Sequence, residues 1–450
     1  MFNPISLVRN VLTGSLMLAA LAAVEARAQT GTDSQLQRDF DAAFSRMLDN
    51  PANLDVTFRY AELAVKIGDF EAAISALERM LLYNPNLPRV RLELGVLYFR
   101  LGSYAIARTY LTRAVEGENV PDDVRARVAV FLDEIDNRLS PHRFAASVYG
   151  GLRYQSNANA GPKRPDITLL GAPATLGGQF TEKKDWNAFV SGTLRHSYDP
   201  QAQGGEILET EVLLYGSQQF SQHQLDLVFG EVKVGPRGRF MREHLESVSW
   251  RPYAVASMVH LDESPYFWSY GIGTSFDATV AEATTGALDV SAKDRAFRAD
   301  AGRPTARNQS GQEYQATTDL RHQLSDSLLL TGTLGWKEID ARQSLHANRE
   351  WEFGAGLTVS HAAPFSITEQ AWTSSLNGSY IETQYFAPDP AVHPTRERRD
   401  AEKRLTMLTT IPVTRDWALI ATLQRTVVDS NFKNFTYTNN SISIGASVRF

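Results

Sequence analysis

Nine histidines are the side chains best suited to acid–base or metal chemistry in this sequence, and their spacing supports neither. A metal pair on a helix needs two histidines three or four residues apart, and no such pair occurs. There is also no Gly-x-Ser-x-Gly nucleophile motif and no glycine-rich phosphate loop ending in Lys-Ser or Lys-Thr. A triad built from distant positions would leave no such trace. We therefore expect no enzyme and no cofactor. The histidines are His142, His196, His223, His244, His260, His322, His346, His361 and His393.

The composition excludes several classes of protein. With 450 residues the chain is too long for one ordinary core, so we expect two domains or one large barrel. The absence of cysteine excludes a disulfide scaffold, a cysteine-ligated metal site and a thiol enzyme. There are 45 basic against 51 acidic residues, and this net charge of −6 gives no reason to expect a nucleic-acid partner. A basic run from Arg396 to Arg404 is interrupted by acidic residues, which predicts a solvated loop.

The first residues have the pattern of a secretory signal. Arg9 precedes an apolar run from Val11 to Val24, and Ala26-Arg27-Ala28 follows as a small-residue cleavage motif. The run is short for a stable membrane helix, which disfavours the alternative of an uncleaved anchor. We therefore predict that residues 1–28 are a removed signal peptide. No later stretch approaches the ~18 apolar residues of a spanning helix, so any membrane crossing must use strands.

Residues 29–140 have a helical period and an internal repeat of thirty-four residues. The shift places Gly68 on Gly102 and Ala73 on Ala107, where glycine allows a sharp turn and alanine allows close helix packing. This pattern resembles the tetratricopeptide repeat. Because two repeats bury little surface alone, we expect capping helices at 34–48 and 122–139.

Such repeats have no chemistry of their own, and their shared concave face usually binds a peptide or a neighbouring protein. An alternative is that the apolar members of this face pack against the capping helices in so short an array. The predicted client-binding residues are Asp55, Phe58, Glu62 and Val65 in the first copy, and Arg89, Leu92, Val96 and Phe99 in the second.

Residues 141–450 alternate between apolar and small or polar side chains, as in Ile442 to Phe450, which is the signature of a membrane β-barrel. We predict an antiparallel transmembrane barrel of about fourteen strands, so that the whole chain is a two-domain α+β protein. The segments are 144–155, 185–198, 206–219, 222–234, 247–261, 265–279, 287–298, 312–323, 327–340, 350–361, 370–385, 402–412, 416–429 and 436–450.

Aromatic residues near the segment ends fit the interfacial girdles of such a barrel. The chain also ends at Phe450 on an alternating strand, which looks like the signal by which barrels are recognised for assembly. We expect an outer-membrane protein. The girdle candidates are Trp186, Tyr198, Trp250, Tyr266, Trp268, Trp336, Trp351, Trp372, Tyr385 and Trp417.

The combination of signal, short helical repeat and barrel resembles the surface lipoprotein assembly modifier family. The residues from Tyr149 to Ala160 are similar to that family's first strand and Asn-rich turn, and Asp429-Ser430-Asn431 with Tyr437 to Phe450 is similar to its final hairpin. The resemblance implies an outer-membrane translocon that moves exported proteins, lipid-anchored or soluble, to the surface of a Gram-negative cell. Its repeats would lie in the periplasm and meet the client first.

The alternative function is an exopolysaccharide export porin, because some of these also join helical repeats to a barrel. Such a conduit should show inner rows of acidic and aromatic residues or of arginines. The expected partners of a translocon are an exported client, the barrel assembly machinery and outer-membrane lipids, with the protein itself a monomer. The sequence leaves open the client's identity, its route through the lumen or a lateral seam, and the energy source.

Overall fold

The computed structural model describes residues 33–116, 120–201, 205–239, 248–364 and 370–450. The predicted signal peptide, 1–28, lies outside the described residues. The chain divides into a helical unit, which ends at Arg143, and a strand unit, Phe144–Phe450.

In the described part of the helical unit, consecutive helices pack against one another as antiparallel pairs, as expected for the repeat. The predicted caps correspond to its first and last helices. The helices are α1 (Asp33–Asp49), α2 (Leu54–Ile67), α3 (Phe70–Tyr83), α4 (Pro88–Arg100), α5 (Tyr104–Ala114) and α6 (Asp122–Leu139).

Local chemistry sets the bounds of these helices. The Asn53 side chain accepts hydrogen bonds from the backbone N–H groups of Asp55 and Val56 and so caps α2. Gly68 ends α2 with φ +86°, and Gly102 follows α4 with φ +75°, a left-handed conformation that glycine adopts without steric cost. The repeat glycines therefore make the turns that the sequence predicts.

A third glycine lets the two helices of the second repeat touch. A Cβ on Gly95 would stand 2.5 Å from Cγ of Leu111 on α5. Leu111 and Ala107 are fully buried at this contact. Gly95 of α4 therefore leaves space for the Leu111 side chain of α5, and this close packing holds the two helices together.

Fourteen antiparallel strands close into a barrel, and two short strands form a separate hairpin. Around the ring, the first strand of the barrel neighbours the last, and the other strands follow in reverse chain order. The strands are β1 (His142–Gln155), β2 (Asp166–Leu169), β3 (Ala172–Thr175), β4 (Asp185–Tyr198), β5 (Ile207–Gln219), β6 (Leu227–Arg239), β7 (Val248–Leu261), β8 (Ser264–Ala281), β9 (Thr284–Phe297), β10 (Gly311–Ser325), β11 (Leu328–Ala341), β12 (Asn348–His361), β13 (Trp372–Tyr385), β14 (Arg399–Pro412), β15 (Trp417–Ser430) and β16 (Tyr437–Arg449).

Alternation along the strands separates an outer from an inner face. On β4, Val190 and Leu194 are exposed outward, whereas Asn187, Phe189 and Ser191 are buried inside. Apolar residues outside and polar residues inside are what a barrel in lipid requires. The predicted α+β architecture, with repeat helices followed by a fourteen-stranded antiparallel barrel, is confirmed, and the closed barrel is consistent with an outer-membrane protein.

The two ends of the barrel differ in their connections. We call the end where β1 begins and β16 ends the base, and the opposite end the rim. Base turns such as 282–283 and 326–327 are two residues long, whereas the rim carries the long connections 156–184, 298–310 and 386–398. Within the strand unit, the rim connections therefore hold most of the residues that lie outside the strands.

The barrel closes where its first and last strands meet. Gly151 pairs with Gly445, and Gly150 pairs with Ala446. A Cβ on Gly151 would stand 2.3 Å from the carbonyl oxygen of Ile444, and one on Gly445 would stand 2.3 Å from that of Gly150. The backbones of β1 and β16 therefore approach each other at a point where larger residues do not fit.

One predicted strand and two predicted girdle residues need correction. The strand expected at 222–234 is β6, Leu227–Arg239, because His223–Leu225 forms a 3₁₀ turn and delays the strand. Tyr266 is 2% exposed and packs inside the barrel, and Tyr385 lines a cavity at the rim. Neither of these tyrosines belongs to an outer girdle, whereas Trp186 and Trp417 are exposed.

Candidate functional site

The first half of the predicted concave face lies at the surface of the helical unit. Asp55 and Arg89 are exposed, and Phe58, Glu62 and Val65 are half-buried. The Arg89 guanidinium stands over the Phe58 ring, with Cζ 4.6 Å from the ring centroid. The contact joins α2 to α4, so the structure brings together residues from both repeats. An apolar ring with charges of both signs beside it suits a peptide that carries charged and apolar side chains.

The second half of the face is engaged by the last helix. Phe99 meets the ring of Phe131 on α6 edge-on at 5.2 Å, and Leu92 is 7% exposed in the same cluster. Val96 packs partly buried against this cluster. These three residues have the packing role that the sequence left as an alternative, and the surface still open to a partner lies around Asp55, Phe58, Glu62 and Arg89.

A half-buried polar cluster joins three helices of the unit. The hydroxyls of Tyr98 and Tyr110 both donate to Oε1 of Glu78, at 2.7 and 3.2 Å. Their rings stack with centroids 5.6 Å apart. Burial, followed by the hydrogen bond to Glu78, raises the pKa of Tyr98 to about 12. The cluster therefore stays neutral at the two tyrosines and holds α3, α4 and α5 in register.

The inner wall of the barrel carries charges of both signs in contact with one another. On the wall near the base, Arg237 pairs with Glu209 at 2.9 Å and with Asp277 at 2.6 Å, and Arg251 pairs with Glu211 at 2.9 Å. Closer to the rim, the pairs are Lys293–Glu231, Lys337–Glu350, Arg295–Glu313 and Arg404–Glu402.

An apolar cluster covers another part of the inner wall and was not predicted from the sequence. Tyr266, Phe297, Phe229 and Val259 are each at most 5% exposed. Ala306, from rim connection 298–310, packs into the same cluster. The connection therefore folds against the inner wall rather than standing in solvent.

Hydrogen bonds at or beside the seven rim connections link them to one another. The connections are 156–184, 220–226, 262–263, 298–310, 342–347, 386–398 and 431–436. The bonds run from Ser221 N to Asp185 Oδ2 (3.0 Å), Asp262 N to Asp226 O (2.9 Å), Arg303 Nη2 to Leu261 O (3.0 Å), Gln343 N to Asn308 O (3.1 Å), Phe386 N to Ala347 O (3.1 Å), Asn431 Nδ2 to Glu397 O (2.8 Å), and Asn434 Nδ2 to Thr168 O (2.9 Å). We call this closed chain of contacts the rim ring.

Where the rim ring meets the inner wall it leaves a cavity of about 100 Å³. Arg295 and Ile339 line it from the wall, and Val392 and Phe432 line it from the rim connections. His346 lies at this cavity, and burial lowers the pKa of its imidazole, with Asp389 opposing the shift.

The described residues hold no metal centre that could carry chemistry. Within them, no group of three or more His, Asp or Glu side chains is placed to bind a metal ion. In the same part of the chain, no helix has the length and apolar character needed to cross a membrane.

Comparison with known proteins identifies the repeat in the helical unit. The tetratricopeptide repeat family model matches residues 61–130, and no curated protein matches the chain. Similar solved structures include the type III secretion chaperone SycD of Yersinia enterocolitica in complex with a peptide of the translocator YopD, at 13% identity over 23% of this chain and 80% of that chain, TM-score 0.22. MamA is similar at 19% identity over 25% of this chain and 68% of that chain, TM-score 0.21. A tetratricopeptide repeat protein of Parabacteroides merdae is similar at 21% identity over 22% and 39%, TM-score 0.21.

Proposed function

We propose that this protein is an outer-membrane translocon that moves particular exported proteins to the cell surface. The helical unit lies in the periplasm and binds the client, and the barrel provides the route. The observation that carries the proposal is the presence, in one chain, of a tetratricopeptide repeat and a closed barrel with an apolar outer face. Membership of the surface lipoprotein assembly modifier family is part of this proposal.

The helical unit supports a protein client rather than a small solute. Repeats of this kind bind peptides or protein surfaces on their concave face. The open part of that face presents the Phe58 ring, with Arg89, Asp55 and Glu62 beside it. Such a surface matches an amphipathic polypeptide segment.

The paired charges of the inner wall favour a protein over a charged polysaccharide. A conduit for an acidic polymer needs a row of unpaired basic residues, and one for a basic polymer needs the reverse. Here Arg237, Arg251 and Lys293 each contact a carboxylate. These pairs give the wall charges of both signs rather than a row of one sign.

Protease shaving of intact cells tests the function. Strains with and without the protein are treated with an external protease, and the shaved surface proteins are compared by mass spectrometry. We expect one or a few exported proteins to become protected when the gene is deleted and to be exposed again when it is restored. An unchanged set of surface proteins together with the loss of a secreted polysaccharide would replace this function with polysaccharide export.

The proposal also names partners that the same cells can report. The barrel assembly machinery is expected to insert the protein, with Phe450 as part of the signal, and the inserted protein is expected to be a monomer in outer-membrane lipid. Without a nucleotide site in the sequence, transport would be driven by folding or capture of the client outside the membrane, or by other machinery.

A further inference from the structure

The hairpin β2–β3 reaches across the rim to residues far away in the chain. Backbone N–H groups of Leu170 and Gly171 donate to the carbonyl oxygens of Ala391 and Val392, at 3.0 and 2.8 Å. Thr168 exchanges two hydrogen bonds with the Asn434 side chain, at 2.8 and 2.9 Å. One hairpin tip therefore holds two other rim connections, 386–398 and 431–436.

The segments that flank the same hairpin are anchored independently of its tip. Asn159 accepts from the backbone of Lys183 and donates to the carbonyl oxygen of Thr181, both at 2.8 Å. Asn157 bonds Gly161 in both directions. Both asparagines are at most 2% exposed. The tip can consequently separate from its partners while these flanking segments stay in place.

The tip has the features of a contact that is only just stable. Leu170 adopts φ +52°, a left-handed conformation that costs energy for a residue with a Cβ. Its side chain is 70% exposed, and that of Leu169 is 49% exposed, so neither contributes much apolar burial. The tip is therefore held mainly by the four hydrogen bonds to remote connections.

Connection 386–398 lies against the inner wall at the rim. Val392, which is 8% exposed, lines one cavity together with Arg295 and Ile339 of the wall. Val392 belongs to the connection that the hairpin tip holds. Release of the tip would free this connection to move away from the wall.

We propose that the tip Thr168–Gly171 is a latch that keeps connection 386–398 against the inner wall, and that its release opens the lumen at the rim to an extended client polypeptide. The nature of what passes rests on the proposed function. The opening itself does not require a client and is measured without one.

Because the chain has no cysteine, a cross-link between two introduced cysteines can hold the latch closed. In the full-length protein, Leu170→Cys with Ala391→Cys is bridged by a cleavable bifunctional thiol reagent that a reductant reverses. Ser360→Cys with Thr373→Cys, a pair of register partners on the barrel wall, is the matched control. Conductance is measured in planar bilayers of phosphatidylethanolamine and phosphatidylglycerol. We expect the latch bridge to suppress channel openings, reduction to restore them, and the control bridge to leave them unchanged.

A second variant loosens the latch. Asn434→Ala removes both hydrogen bonds to Thr168 and should raise the open fraction about fivefold to thirtyfold. Asn434→Asp keeps the acceptor and loses the donor, so its open fraction should lie in between. Heat-modifiable migration in gels shows whether each barrel is folded. Equal conductance in folded bridged, Asn434→Ala and unmodified proteins would overturn the latch.

The same bridge separates this inference from the function on which it rests. If shaving shows that the client still reaches the surface when the latch is bridged, the client does not pass the rim and this part of the inference is wrong. If conductance follows the latch but deletion of the gene changes no surface protein, the latch stands and the proposed function fails.

Discussion

The Arg89 guanidinium lies over the Phe58 ring at 4.6 Å and thereby joins the first helices of the two repeats across the face proposed to bind the client. Phe58 is half-buried and packs against the helical core, whereas Arg89 is exposed, and an exposed cation–π contact contributes about 0.5–1 kcal/mol. Removal of the Arg89 guanidinium should therefore affect binding more than folding.

The first prediction concerns that pair. Phe58→Ala combined with Arg89→Ala should strongly reduce surface exposure of the client in shaving experiments. Leu82→Ala, at a side chain 84% exposed on α3, is the matched control and should transport normally. The double variant should also keep its helical signal in circular dichroism at the growth temperature. Normal transport by the double variant would remove this face from the binding site.

The second prediction concerns packing in the second repeat. Gly95→Ala places a Cβ 2.5 Å from Cγ of the fully buried Leu111, and such overpacking costs about 1–3 kcal/mol. We expect the thermal midpoint of the helical unit, followed by circular dichroism at the helical band, to fall by several degrees. Gly178→Ala, in an open position of the strand unit, should leave that midpoint unchanged. An equal midpoint in all three proteins would contradict the close contact.

The third prediction concerns the C-terminus. The backbone of Phe450 pairs with Ala146 through two hydrogen bonds, whereas its side chain is 77% exposed. Phe450→Ser should therefore leave the folded barrel's contacts almost unchanged but lower the amount of barrel inserted in the membrane. Ile444→Ser, at an exposed position on the same strand, is the control. Normal membrane yield of Phe450→Ser would show that this residue is not an assembly signal.

The fourth prediction concerns pH at the rim. Burial lowers the pKa of His346 below its ordinary value of 6.5, so an exposed imidazole takes up a proton at a pH where the buried one does not. The closed rim is therefore favoured fully above the exposed pKa and progressively less as the pH falls below it. Arg295, Arg398 and Asp389 line the same cavity. Channel openings should become more frequent between about pH 7.5 and about pH 5.5.

The control for that prediction is His346→Gln, which cannot take up the proton. Its open fraction should depend less on pH over the same interval. A pH dependence identical to that of the unmodified protein would assign the effect to another group.

Much of the barrel could be predicted from the sequence because apolar outer side chains recur at every second position along most strands. The 222–234 segment was misplaced because Leu225, Leu227 and Phe229 continue one alternating run through the 3₁₀ turn at His223–Leu225. Leu225 is 5% exposed within that turn. An apolar residue buried by a turn has the same sequence pattern as one in a strand.

The inner apolar cluster and the rim ring could not be predicted in this way. Phe229 and Val228 are both apolar but face opposite sides of the wall, so alternation does not show that the inner one is covered. The latch depends on pairing of Thr168 with Asn434, which are 266 residues apart. Contacts over such distances along the chain leave no local signal in a single sequence.

The glycine contact between β1 and β16 has a consequence for the order of folding. Gly151 and Gly445 lie almost three hundred residues apart, whereas the other neighbouring strands from β4 to β16 follow one another along the chain. Chain entropy opposes so distant a closure more than any hairpin, by about 0.6 kcal/mol for each doubling of the intervening length. We therefore expect the pairing of β1 with β16 to be the last step of barrel folding, after the hairpins between them have formed.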